Sequence, residues 1–158
     1  MSLRYIIDGN NVLHHPDLAS PRQGRDPRFA LVDFILRHKL TGSRNNKVIL
    51  VFDGYPPTTT RSESPENTEI IFSRRETADQ TIKRLLEKSA TVKNILVISD
   101  DKEIRMFAKL VGALPLGVKD FLCLKDKAAS LQDNTLKSEL SYSQMHKINQ
   151  ELRKIWLE

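Results

Sequence analysis

The stretch Tyr5-Ile6-Ile7-Asp8-Gly9-Asn10-Asn11-Val12 runs through three apolar residues and stops on an acid and a glycine. The same arrangement returns at Val48-Ile49-Leu50-Val51-Phe52-Asp53-Gly54, and in looser form at Ile95-Leu96-Val97-Ile98-Ser99-Asp100-Asp101. Short β-branched runs without polar alternation are how strands buried on both faces of a parallel sheet read. Ile70-Ile71-Phe72 is a further run of this type, and a short last strand is expected around 113–116.

Between these runs the apolar spacing changes to three and four. Phe29, Val32, Ile35 and Leu36 share a face of a helix expected over about 27–40, ending before Gly42. Ala78, Ile82, Leu85 and Leu86 mark a second helix; Ile104, Phe107, Ala108 and Val111 mark a third that stops at Gly112; 119–124 reads as a fourth. Strands alternating with helices imply an α/β layered fold with right-handed crossovers.

A chain of 158 residues suits one domain with a single core. The one cysteine, Cys123, excludes an internal disulfide, a Cys₄ zinc site and a Cys-x-x-Cys redox pair, and a reducing cytoplasmic setting is expected. No apolar run approaches the roughly 18 residues that cross a bilayer, so neither secretion nor a membrane partner is expected. The net charge of +5 is weak support for an anionic partner. Residues 14–28 and 55–68, rich in Pro and polar residues, read as long loops at strand ends, either tolerated insertions or substrate-binding loops. A boundary is expected near 125. The part from 126 to 158 is a polar link followed by Tyr142, Met145, Ile148, Leu152 and Ile155 at helical spacing, an amphipathic helix expected to dock on its own domain, with a protein partner or self-association as the alternative.

The acids carry the chemistry. Asp8, Asp53 and the pair Asp100-Asp101 end strands, and in an open parallel sheet the C-terminal strand ends share the edge where ligands bind. Asp79 stands at spacings of three and seven from Ile82 and Leu86, on the inward side of its helix, with Glu76 three residues before it. Taken alone, Asp79 reads as a first-turn acid that complements the helix dipole and pairs with Lys83. Gathered carboxylates must protonate, pair with a base or hold a cation, and oxygen ligands without Cys or well-spaced His favour Mg²⁺ or Mn²⁺ over zinc. His14-His15, in a Pro-rich loop, read as solvated, and Ser99 either bonds a carboxylate or ends its strand. No Gly-x-Gly-x-x-Gly or Walker loop follows the first strand, and Asn10 stands where a dehalogenase would need its second acid. Carboxylate-bound metal acting on a phosphodiester is the chemistry left.

These residues resemble the YacP-like NYN domain family of the PIN-like nuclease superfamily. The opening YIIDGNNV is similar to the family's first-strand motif, with Asp8 as the metal-binding acid and Asn11 as the polar residue after it; VFDG matches the second strand end; ETAD matches the helix-borne acid at Asp79. The segment ISDDKEIRMFAKLVGA resembles the family's Ser-x-Asp motif, aligning Asp101 with the family acid and Asp100 with its variable neighbour, and VKDFL resembles the segment after the last strand. The resemblance covers the chain through about Leu124. It implies a three-layer α/β/α sandwich and a metal-dependent endoribonuclease holding one or two Mg²⁺ or Mn²⁺ ions on Asp8, Asp79 and Asp101, with Asp53, Glu76 or Asp100 assisting and Asn11 positioning a carboxylate, water or phosphate. A non-catalytic RNA-binding or protein-interaction module on the same fold is the alternative.

An acidic centre repels a polyanion, so an RNA partner needs basic flanks. Arg22, Arg25, Arg28, Arg61, Arg74, Arg75 and Lys83 are placed by sequence near the acidic edge and are the expected RNA contacts. Tyr55, beside Pro56-Pro57, either stacks on a base or anchors its loop.

Overall fold

A computed structural model describes residues 2–18, 26–57 and 66–124. The described elements run β1 (Arg4–Asp8), α1 (Gly9–Leu13), α2 (Pro27–Arg37), β2 (Lys47–Phe52), β3 (Thr68–Phe72), α3 (Ala78–Lys88), a 3₁₀ turn (Val92–Asn94), β4 (Ile95–Ile98), α4 (Lys102–Val111) and β5 (Leu114–Leu116). Residues 118–124 form a last helix, α5. The strands make one sheet in the order β3-β2-β1-β4-β5, and every pairing is parallel.

Strand alternation divides the core in two. Tyr5, Ile7, Val48, Leu50, Phe52, Ile98 and Leu116 face α1, α2 and α5, meeting Val12, Leu31, Val32, Ile35, Val118 and Phe121. Ile6, Ile49, Val51, Ile95 and Val97 face the other way, onto Ala78, Ile82 and Leu86 of α3 and Ile104 and Ala108 of α4. This is the expected three-layer sandwich, and it explains the apolar runs: both side-chain directions of each central strand are covered. Burying a Val, Leu or Ile here stabilises the fold by about 1.5–3 kcal/mol each.

Local chemistry sets the element ends. Asp26 accepts from Arg28 N to start α2 at Pro27, and Thr77 with Gln80 forms a capping box at α3. Gly112, at φ +95°, closes α4 in the left-handed conformation that glycine adopts without a Cβ penalty. Gly9 has a different constraint: a Cβ there would overlap the Phe52 ring, so the turn out of β1 can lie against the end of β2 only without a side chain.

Some expectations shift. α2 ends at Arg37, with Lys39 and Gly42 at positive φ beyond it. Its buried residues are Leu31, Val32 and Ile35, while Phe29 and Leu36 are only part-buried, because the helix sits rotated towards Leu31. In α3 the buried polar Thr81 takes the place expected for Leu85; its hydroxyl bonds Glu76 Oε1 and Thr77 O, so burial costs it no hydrogen bond. α1 is a helix that the apolar spacing does not announce. Its five residues follow Asp8 directly because that side chain caps them. The C-terminal amphipathic helix lies outside the described residues, as does the rest of 126–158.

Candidate active site

The sheet order creates a topological switch between β1 and β4. The chain leaves β1 towards β2 and β3 on one side, and leaves β4 towards β5 on the other, so a crevice opens at the C-terminal ends of these two neighbours. Asp8 ends β1 in this crevice, and Ser99, Asp100 and Asp101 follow β4.

Asp8 is 2% exposed. Its Oδ1 accepts from Asn11 N (3.5 Å), and its Oδ2 accepts from Asn11 Nδ2 (2.9 Å) and from Ser99 Oγ (3.2 Å). Burial pushes its pKa up to about 6; the bonds from Asn11 and Ser99 oppose the rise, and the charges of Asp79 and Asp53 add to it. Asp79, in the first turn of α3, is also raised, first by burial, then by Asp101 and Asp53, with Lys83 opposing and Glu103 adding. The four acids Asp8, Asp53, Asp79 and Asp101 are thus one electrostatic group, drawn from four separate segments. Of the strand-end acids expected to share this edge, Asp100 is not among the four.

Hydrogen bonds hold the group in place. Asp53 Oδ1 accepts from Ala78 N (2.7 Å) and its Oδ2 from Asn10 Nδ2 (2.6 Å), joining the end of β2 to the starts of α3 and α1. Asn10 O in turn meets His14 Nδ1 at 2.7 Å, and His14 is exposed, in keeping with the solvated reading. Asn11 bridges the crevice: its Nδ2 donates to Asp8 and its Oδ1 accepts from Asp100 N (3.1 Å). Ser99, fully buried, donates to Asp8 and accepts from Asp101 N (3.1 Å).

The tandem acids separate cleanly. Asp101 caps α4, its Oδ1 accepting from Glu103 N (2.8 Å) and Ile104 N (3.4 Å), while its charge still reaches Asp79. Asp100 turns to α5, its Oδ1 accepting from Val118 N (2.9 Å) at the start of that helix. Glu76 stands apart, with Oε1 against Arg84 Nη1 (2.6 Å) and Thr81 Oγ1 (2.9 Å). Asn10, which bonds Asp53, is a site residue that its sequence position did not single out for that role. Its signal was a polar residue just past the end of β1.

The donor set is carboxylate oxygen, which suits a hard divalent cation, and the raised Asp8 and Asp79 are what such a charge would relieve. Among the described residues no three His, Cys, Asp or Glu side chains form a ready-made cage. Mg²⁺ does not need one, since it commonly keeps several waters and takes one or two carboxylates.

The basic residues divide as well. Arg74 and Arg75 are exposed, and no carboxylate among the described residues pairs with either. Lys83 pairs with Glu103 (3.6 Å) and lies 5.9 Å from the Phe107 ring centre. Arg28 is spent on Asp26, Nε to Oδ1 at 3.0 Å and Nη2 to Oδ2 at 2.8 Å, and lies over the Phe72 ring at 5.1 Å. Arg22, Arg25 and Arg61 lie outside the described residues.

A parallel α/β sandwich with acids gathered over its switch point is the architecture of a PIN-like nuclease domain. Within that class, the chain belongs to the YacP-like NYN domain family, whose model matches residues 5–158. It is similar in fold to Rae1 (YacP) from Bacillus subtilis, at 22% identity and a TM-score of 0.63, with 98% of this chain and 91% of that one covered. The W164L mutant of the same protein gives the same identity and TM-score over 92% and 89%. No relative was found among curated protein sequences. Among the described residues no helix is long and apolar enough to cross a membrane.

Proposed function

We propose that this chain is a metal-dependent endoribonuclease that hydrolyses RNA phosphodiester bonds. The observation that carries the reading is Asp8: a nearly buried carboxylate, pushed up to about 6, among the charges of Asp79 and Asp53, is costly to keep unless it serves a cation or a proton. Family membership supports a nuclease in general, and the oxygen-only donors support Mg²⁺ or Mn²⁺ as the cofactor.

Asp8, Asp79 and Asp101 would hold the metal. When bound, it supplies an activated water and stabilises charge on the phosphoryl oxygens. Asn11 and Ser99 fix the Asp8 carboxylate by bonding its Oδ2, and so set which lone pairs face the crevice. Asp53 fixes the start of α3, and with it Asp79, through the Ala78 N–H. Arg74 and Arg75 supply positive charge for the flanking phosphates. The single exposed Cys123 fits a reducing compartment, and we assign the activity to the cytoplasm.

The engagement of Asp101 Oδ1 by Glu103 N and Ile104 N favours a second reading, an RNA-binding module of the same fold that does not cut. One experiment separates the two. Labelled single-stranded and structured RNAs are incubated with the protein and Mg²⁺, Mn²⁺ or EDTA, beside Asp8→Asn and Asp79→Asn. Internal cleavage is expected only with metal and only in the unsubstituted protein; binding without cleavage under every condition would support the second reading.

A further inference from the structure

Tyr55 is 60% exposed, one of three large apolar residues so exposed among those described, and it follows Asp53 by two residues at the acidic edge. The other two, Met106 and Leu110, lie on α4. An exposed aromatic side chain gains little for the fold, so the way its backbone is held is informative.

The turn that carries it is fixed at each residue. Asp53 is bonded by Ala78 N and Asn10 Nδ2. Gly54, at φ +88°, donates its N–H to Ser73 Oγ (3.3 Å) and accepts from Arg74 N at its carbonyl (2.8 Å). Tyr55 O accepts from Arg28 Nη1 (3.3 Å), and the Arg28 guanidinium is itself held by Asp26 and by the Phe72 ring. A charged side chain expected to contact phosphate is thus committed to a tyrosine carbonyl, while that tyrosine stays exposed. Arg74 sits across the turn at φ +59°, a conformation unfavourable for a residue with a Cβ, and is exposed.

We infer that Tyr55 is a nucleobase-stacking platform, with Arg74 and Arg75 taking the phosphate of the same or the adjoining nucleotide, so that the site accepts an unpaired RNA segment rather than a duplex. The chemistry is that of single-strand recognition: a rigid aromatic face takes any base, and the neighbouring cations follow the backbone. A base already stacked within a helix offers no free face to Tyr55. This assignment rests on the RNA reading of the acidic site and adds the state of the RNA that fits it.

The test is binding in EDTA, so that cleavage does not enter. A fluorescent single-stranded RNA, the same RNA annealed to its complement, and a base-free ribose-phosphate oligomer of equal length are titrated against the unsubstituted protein and against Tyr55→Ala, Tyr55→Phe and Tyr55→Trp. The single strand is expected to bind more tightly than the duplex. Tyr55→Ala is expected to weaken the single strand by about 5- to 150-fold, the range for loss of one stacked base, and to leave the base-free oligomer unchanged. Phe and Trp should keep the affinity. Thermal melting of each variant should match the parent, because the ring is exposed. Unaltered single-strand binding in Tyr55→Ala, or equal loss for the base-free oligomer, would overturn the platform while metal-dependent cleavage could still stand. Absence of binding to all three probes by the unsubstituted protein would remove the platform and the RNA reading together.

Discussion

Ser99 Oγ donates to Asp8 Oδ2 across 3.2 Å, joining two residues 91 positions apart in the chain. The contact exists because β1 and β4 are neighbours in register, Ile7 opposite Ile98, so the residues just past each strand meet. Ser99→Ala removes a hydrogen bond that favours the charged carboxylate, so the Asp8 pKa should rise further above about 6. The acid limb of the cleavage pH profile should move to higher pH, and stability should fall by about 1–2 kcal/mol as Asp101 N also loses its acceptor. A pH profile identical to the parent would show that Ser99 does not tune Asp8.

Asp8 itself makes stability depend on pH. Its folded pKa of about 6 lies above the ordinary 3.8, so between these values the folded state binds the extra proton and stability falls as pH rises. The cost is complete above about pH 6 and amounts to about 3 kcal/mol for a shift of this size. Asp8→Asn removes the charge and leaves an oxygen to accept from Asn11 and Ser99. In metal-free buffer its urea midpoint should exceed the parent's at pH 7.5, with the gain disappearing below pH 4. A gain that persists at pH 3.5 would point to a cause other than the Asp8 charge.

A cation at this centre should stabilise the fold by mass action. At a hundredfold excess over its dissociation constant, Mn²⁺ should add about 2.7 kcal/mol, read as a rise in melting temperature. Asp8→Asn and Asp79→Asn should lose most of that rise, since each removes one of the coupled carboxylates. Equal rises in parent and variants would move the metal elsewhere.

The tandem acids provide a sharper comparison. Asp101→Asn keeps an N-cap oxygen for Glu103 N and Ile104 N, so stability should change by no more than a few tenths of a kcal/mol while Mn²⁺-dependent cleavage is lost. Asp100→Asn keeps an acceptor for Val118 N and should be milder in cleavage. Single-turnover rates and calorimetric Mn²⁺ affinity for both variants decide it. Loss confined to Asp100→Asn would reverse the assignment.

Arg74→Gly tests the proposed phosphate contact without harming the fold. At φ +59° the residue carries a Cβ penalty of about 1–2 kcal/mol, which glycine would not. Arg74→Gly should therefore be as stable as the parent or more so, yet bind RNA more weakly, with the log-log salt dependence flatter by about one unit for the lost contact. Adding Arg75→Ala should flatten it again. An unchanged slope would assign both residues to ordinary surface.

What the sequence determined alone was the five strands, the helices other than α1, and the position of the acids at strand ends. Residues 5–7, 48–52 and 95–98 are apolar because their strands are covered on both faces, and that requirement is written locally in each run. The order of strands is not local. It follows from which crossovers bury α1, α2 and α5 on one face and α3 and α4 on the other, and only that order makes β1 and β4 neighbours. Which atoms meet at the crevice was therefore left to the tertiary structure: Ser99 and Asn11 on Asp8, Asn10 on Asp53, Asp100 on the start of α5, and Glu76 turned away to Arg84. The same holds for the charges. Arg28, Arg74 and Lys83 look equivalent in one dimension, but Asp26 and Glu103 neutralise the first and last in space while Arg74 has no such carboxylate partner among the described residues. Charge is a property of a residue, whereas its availability depends on what packing brings within about 4 Å of it.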